Sequence, residues 1–331
     1  MPVPLIDPFD RQVKDLRISI TDRCNFRCTY CMPEEGMQWL AREELLTYEE
    51  QARVAGVCVE RFGFEAIRIT GGEPTVRAHL PRLIGMLAPL GVDLAMTTNG
   101  TKLAEMAHDL AAAGLRRINV SLDSLRPDVF FEITRRDELH RVIGGIDAAL
   151  DAGLDPVKVN CVVIRGVNDD EVVDLAAFGR DRGVGMRFIE FMPLDAGGAW
   201  TQEAVVPAQE ILDRIDAVFP LDTERVPGSG HVQPAALHRY ADGRGDVGVI
   251  ASVTEPFCES CDRVRMTAEG KLRTCLFALE EFDLRAILRQ GGSDDDLAAE
   301  IERAVGTKWA GHRIGQVNFV RPGRSMSQIG G

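Results

Sequence analysis

The chain has 331 residues, 45% of them hydrophobic and 27% charged, with 51 acidic against 38 basic side chains and a net charge of −13. This length suits one domain of about 200 to 250 residues plus a smaller one, and the composition is that of a globular protein. The acidic balance argues against a nucleic-acid groove or an anionic membrane surface as partner; with no apolar run of about 18 residues and no basic, apolar leader, a cytoplasmic protein is expected.

In chain order, the first element is an apolar alternation at residues 16–20, a strand. It runs directly into Cys24-Asn-Phe-Arg-Cys28-Thr-Tyr-Cys31. A closed structural zinc site takes four nitrogen or sulfur ligands, so three thiols in one short loop suggest a metal centre with a position left open for chemistry. Thr47-Tyr-Glu-Glu50 has the capping-box pattern and opens a helix running to Phe62. Strands follow at 66–70, 93–97, 117–121, 157–164 and 186–191, with helices over 79–89, 102–113, 139–152 and 169–182. This alternation predicts a parallel sheet, doubly wound or barrel-like, with ligands at the C-terminal strand ends. The polar pieces gather there: Gly71-Gly-Glu-Pro74, Thr97-Thr-Asn-Gly100, Ser121-Leu-Asp-Ser124 and Met192-Pro193.

After Pro193 the rhythm changes. Residues 196–234 read as turn-rich with one helix at 207–218. Short strands follow over 235–278, among them Arg263-Val-Arg-Met paired with Lys271-Leu-Arg across a turn at Glu269-Gly270; two helices come near 281–290 and 294–306. This divides the chain at 1–195 and 196–331. A second triad, Cys258-Glu-Ser-Cys261 with Cys275, sits in the later part; as a zinc site it lacks an evident fourth ligand, the nearest upstream histidine being His238. Cys58 and Cys161 lie in apolar stretches and read as buried free thiols. Arg263 and Arg265, two apart on a strand, share a face. Arg17, Arg68 and Lys158 fall inside apolar strand patterns, where an unpaired charge is costly and a mere surface ion pair is a weak explanation.

Together, the triad after a strand and Gly71-Gly-Glu-Pro74 after the next resemble the radical S-adenosylmethionine (SAM) enzymes. Arg17-Ile-Ser-Ile-Thr-Asp-Arg-Cys-Asn, Thr97-Thr-Asn-Gly, Arg187-Phe-Ile-Glu-Phe-Met-Pro, Cys258-x2-Cys261-x13-Cys275 and the ending Met-Ser-Gln-Ile-Gly330-Gly331 resemble, more narrowly, the GTP 3′,8-cyclase family of molybdenum cofactor biosynthesis. The resemblance implies an α/β fold, an incomplete (β/α)6 TIM-like barrel with a smaller C-terminal α+β cluster-binding region. It implies two 4Fe-4S clusters, one on Cys24, Cys28 and Cys31 and one on Cys258, Cys261 and Cys275. SAM would meet Tyr30, Gly72, Glu73, Ser121 and Met192, and be cleaved to a 5′-deoxyadenosyl radical. GTP would meet Arg17, Arg68, Thr97, Lys158, Arg187, Arg263, Val264 (by backbone alone) and Arg265, lose its ribose 3′ hydrogen, and close onto guanine C8. No histidine lies in a motif, and no general acid or base is assigned. Family members often carry lysine where this chain has Ala66, which bears on one phosphate contact, and the Gly330-Gly331 tail should reach into the active site. Implied partners are a reductant such as flavodoxin or ferredoxin, cyclic pyranopterin monophosphate synthase as taker of the product, and a homodimer. The alternatives are a radical SAM peptide maturase with an auxiliary cluster and, from another class, an electron carrier without catalysis.

Overall fold

The structure, a computed structural model, describes residues 2–195, 197–225 and 234–330. Six strands each followed by a helix come first: β1 (Asp15–Ser19), α1 (Tyr48–Phe62), β2 (Ala66–Thr70), α2 (Leu80–Leu87), β3 (Asp93–Thr98), α3 (Leu103–Ala112), β4 (Arg117–Ser121), α4 (Pro127–Thr134), α5 (Leu139–Asp151), β5 (Val157–Val163), α6 (Val172–Arg182) and β6 (Gly185–Glu190). Thr47 and Glu50 close the capping box expected at the start of α1. The additional helix α4 begins with Pro at its first turn and no side-chain cap.

The remaining elements are α7 (Ala208–Asp216), β7 (Leu221–Arg225), β8 (Ala236–Tyr240), β9 (Asp246–Ile250), β10 (Arg263–Met266), β11 (Lys271–Arg273), β12 (Phe282–Asp283), α8 (Leu284–Arg289), α9 (Asp294–Val305) and α10 (Met326–Ile329). All strands form one sheet in the order β12-β11-β10-β1-β2-β3-β4-β5-β6-β9-β8-β7. β1 to β6 are parallel in sequence order, as the partial barrel requires. The later chain extends both edges: β10 joins β1 in parallel and β9 joins β6 in parallel, before antiparallel strands finish each side.

Parallel strands alternate their faces. On one face of β1 and β2, Leu16, Ile18, Ile67 and Ile69 are fully buried in the main core with the helices. On the other, the register sets Arg17 directly beside Arg265 and Arg68, and Asp15 beside Arg263 and Ala66. The pairing of β10 to β1 therefore builds an arginine row that neither strand contains alone.

Candidate active site

A cavity of about 650 Å³ runs inside the curved sheet, from strand starts at Asp15, Ala66 and Asp93 to the loops beyond the strand ends. Cys24, Cys28, Cys31, Tyr30, Gly72, Glu73, Ser121 and Met192 all line it, as do Arg17, Arg68, Thr97, Lys158, Arg187, Arg263 and Arg265. Val264 does not. Strand alternation turns its side chain into the core beside Leu16, away from the cavity. Cys258, Cys261 and Cys275 do not line the cavity themselves, although their chain neighbours Phe257, Asp262, Arg263 and Leu276 do.

The first triad sits in a loop held by its own carbonyls: Arg27 donates to Cys24 O at 2.8 Å, Arg136 to Asn25 O at 2.8 Å and Arg135 to Arg27 O at 3.0 Å. The glycine loop lies against it. A Cβ on Gly72 would meet Arg23 O at 2.4 Å and Asp22 O at 2.5 Å, so glycine is needed for the two loops to touch. Glu73, buried, accepts from Thr75 N–H (3.0 Å), Thr75 Oγ1 (2.6 Å) and Thr98 Oγ1 (2.6 Å) on Oε1, and from Asn99 N–H (2.6 Å) on Oε2. Its carboxylate thus ties the glycine loop to the loop after β3, leaving Oε2 room for one further donor. Burial raises its pKa against those hydrogen bonds.

Tyr30 donates to Asp123 Oδ2 at 2.7 Å, and Val162 N–H donates to Oδ1 at 2.8 Å. Burial pushes the Asp123 carboxyl up to about 6, although both donors favour its charged form. Asp123 lines the cavity and was not singled out by sequence; its signal was its place in Ser121-Leu-Asp-Ser124 at a strand end.

The first-triad thiols are free. Burial, then Glu73 and Cys31, raises Cys24 to about 12, and burial raises Cys31 to about 11. At Cys24, the Phe26 N–H and Arg27 work against that rise without overcoming it, and an iron–sulfur cluster bound there would supply the further positive charge that holds the three half-buried thiols ionised. The residues therefore fit a cluster.

The cavity's cations repel one another. Burial lowers the pKa of Arg17, and Arg265, Arg68 and Arg263 lower it further. Burial followed by Arg263 takes Arg265 down to about 10; burial followed by Arg187, Arg117 and Arg68 takes Lys158 down to about 8. The buried Nε atoms of Arg17 and Arg68 have no hydrogen-bond partner among the described residues. Arg187 is instead paired with Asp246 at 2.8 Å, and Arg117 with Asp93. Ala66 lies between Asp15 and Asp93 in register, opening the wall where a longer side chain would stand. The tail reaches the same space: Met326 and Ser327 line it, and Gly330 O accepts from Arg265 Nη1. Gly331 falls outside the described residues.

At the second triad, burial alone would raise the Cys261 thiol, but Arg263 and Lys308 bring it down to about 7. Arg263 Nη2 donates to Cys261 Sγ at 3.5 Å. His312 adds no ligand, since its Nδ1 accepts from Ile314 N–H and the ring also bonds the Ser252 backbone.

Residues 18–179 match the Radical SAM superfamily and residues 184–314 match Molybdenum Cofactor Synthesis C. The GTP 3′,8-cyclase of Streptomyces coelicolor is 49% identical over 329 residues, 99% of this chain and 96% of that one. The chain belongs to the GTP 3′,8-cyclase family. The GTP 3′,8-cyclase of Paenarthrobacter nicotinovorans is likewise 46% identical, covering 99% of this chain and 97% of its own. In fold alone, the family scaffold is shared with Streptococcus suis SuiB bound to S-adenosylmethionine, at a TM-score of 0.62 and 13% identity over 89% of this chain and 69% of that one. As a GTP 3′,8-cyclase family member the chain is a radical SAM enzyme of molybdenum cofactor synthesis, with an iron–sulfur cluster and SAM as cofactors. No helix among the described residues is long and apolar enough to cross a membrane.

Proposed function

We propose that the cavity binds GTP between two cysteine-held clusters and cyclises it to (8S)-3′,8-cyclo-7,8-dihydroguanosine 5′-triphosphate. The observation that carries this is the row Arg265–Arg17–Arg68, with two buried guanidinium Nε atoms unpartnered, in a cavity whose other end is the first triad. Buried cations that repel one another call for an anion, and a triphosphate supplies several charges in the planar-fork geometry that arginine matches.

Cys24, Cys28 and Cys31 would hold the first cluster, and Tyr30, Gly72, Glu73, Ser121 and Met192 would seat SAM beside it. When bound, that cluster and SAM supply the radical that takes hydrogen from the substrate. The chain's own residues do the placing. Lys158, Arg17 and Arg68 neutralise phosphates, Arg187, already paired with Asp246, adds a further contact to GTP, Thr97 and the backbone of Val264 orient the nucleoside, and Arg263 and Arg265 hold the guanine end toward the second cluster on Cys258, Cys261 and Cys275. With the ribose 3′ hydrogen removed, the carbon left at 3′ needs only to face guanine C8, so orientation is the main contribution. The 1–195 part would carry SAM chemistry and the 196–331 part the guanine end and tail. The setting is cytoplasmic, a reductant such as flavodoxin or ferredoxin would feed electrons, cyclic pyranopterin monophosphate synthase would take the product, and the protein would work as a homodimer.

Anaerobic reconstitution tests this. About eight irons per chain, with deoxyadenosine formed on GTP and not on ATP, CTP or UTP, is expected. About four irons, or equal turnover with every nucleotide, refutes it.

A further inference from the structure

Lys308 is a buried lysine, 3% exposed, that lines neither the cavity nor the surface. Its Nζ donates to Arg263 O at 2.8 Å, Thr274 O at 2.6 Å and Cys261 Sγ at 3.8 Å. An ammonium has three N–H donors and a neutral amine two, so three acceptors fix the charged form in place. The acceptors are one triad sulfur, the carbonyl two residues after it, and the carbonyl immediately before Cys275. The following residues continue the wall. A Cβ on Gly311 would stand 2.9 Å from Cys258 Cβ, and Arg11, paired with Asp7 at 2.6 Å, donates to Cys258 O at 2.6 Å and Ala310 O at 2.7 Å. Two buried cations from opposite ends of the chain thus hold the backbone around the second triad.

We propose that Lys308 is the positioning residue of the second triad: it holds Cys261 and the approach to Cys275 ready to ligate, and its fixed charge sets the reduction potential of the iron–sulfur group bound there. This rests on the two-cluster reading above. A buried charge costs free energy unless its surroundings use it, and here every donor is spent on the triad's frame. A nearby positive charge stabilises an added electron, and hydrogen bonds to the sulfurs and local charge are what tune such centres.

The test compares wild type, Lys308→Met and Lys308→Arg as reconstituted holoenzyme, by iron and sulfide counts, chelator release and a redox titration followed by electron paramagnetic resonance. In K308M the second centre should titrate at a more negative potential and release its iron about 10- to 100-fold faster, while the first centre's signal stays unchanged; K308R should recover both properties. Complete loss of the second centre alone, restored in K308R, supports the same role. A K308M second centre with wild-type potential and retention overturns the proposal, as does equal damage to both centres, which marks a general folding role. A wild type with iron for one centre only fails the two-cluster reading itself, whereas two centres indifferent to Lys308 fail this inference alone.

Discussion

Replacing Glu73 with glutamine separates two roles that the site geometry lets one carboxylate play. Its Oε1 takes three donors and its Oε2 takes one, Asn99 N–H at 2.6 Å. In Glu73→Gln the NH2 group must replace one oxygen, and the cheaper choice is Oε2. Asn99 N–H then faces a donor inside the protein, at a cost of about 1–3 kcal/mol, and the three bonds on Oε1 lose their charge assistance. Removing a buried charge returns part of its desolvation cost, the same cost that raises the Glu73 pKa. The expected net loss is about 1–3 kcal/mol, read as a lower urea midpoint for the cofactor-free chain, with the glycine loop and the loop after β3 more open to hydrogen exchange. If E73Q unfolds at the wild-type midpoint and loses only SAM affinity, the carboxylate serves the cofactor's ammonium and not the inter-loop network, and the reasoning fails.

Two further outcomes follow from the same site. Gly330 has φ +74°, and a Cβ there would stand 2.5 Å from Ser19 Oγ and 2.6 Å from Thr70 Cγ2; Gly330→Ala should displace the tail, giving about tenfold or faster carboxypeptidase release for a backbone cost of about 1–2 kcal/mol, and wild-type release rates would mean the tail is not docked. Asp123 has its pKa raised from 3.8 to about 6 by burial, so the stability it contributes is fully present below about pH 4 and is lost as pH rises through about 6. Relative to Asp123→Asn, the wild-type chain should therefore lose stability across that interval, by about 3 kcal/mol in total, measured as the difference in urea midpoints; a difference that is flat with pH would show that the carboxyl is not held in its neutral form.

What the sequence made legible is what local spacing controls. The six strand–helix pairs show because each strand is a short segment whose core-facing apolar residues recur every second position, and the capping box of α1 shows because its two partners lie three residues apart. The helix α4 went unread because Arg126 offers it no capping side chain and Pro127 alone marks its start. β9 and β10 read as members of a separate C-terminal region; their parallel seats beside β6 and β1 depend on partners far away in the chain, such as Leu16 opposite Val264, and no local period encodes them. The same division governs the site. The alternation of Arg263, Val264 and Arg265 told which two share a face, but only the register with Arg17 and Arg68 turns them into a row of charge. Asp123, Arg11 and Lys308 stayed hidden because each is defined by what stands opposite: Tyr30 for the first, the Cys258 carbonyl for the second, Cys261 for the third. A motif can announce which thiols bind. The charges that govern those thiols arrive from elsewhere in the chain, so a sequence comparison restricted to the cysteine motifs would miss the residues that set the two triads apart.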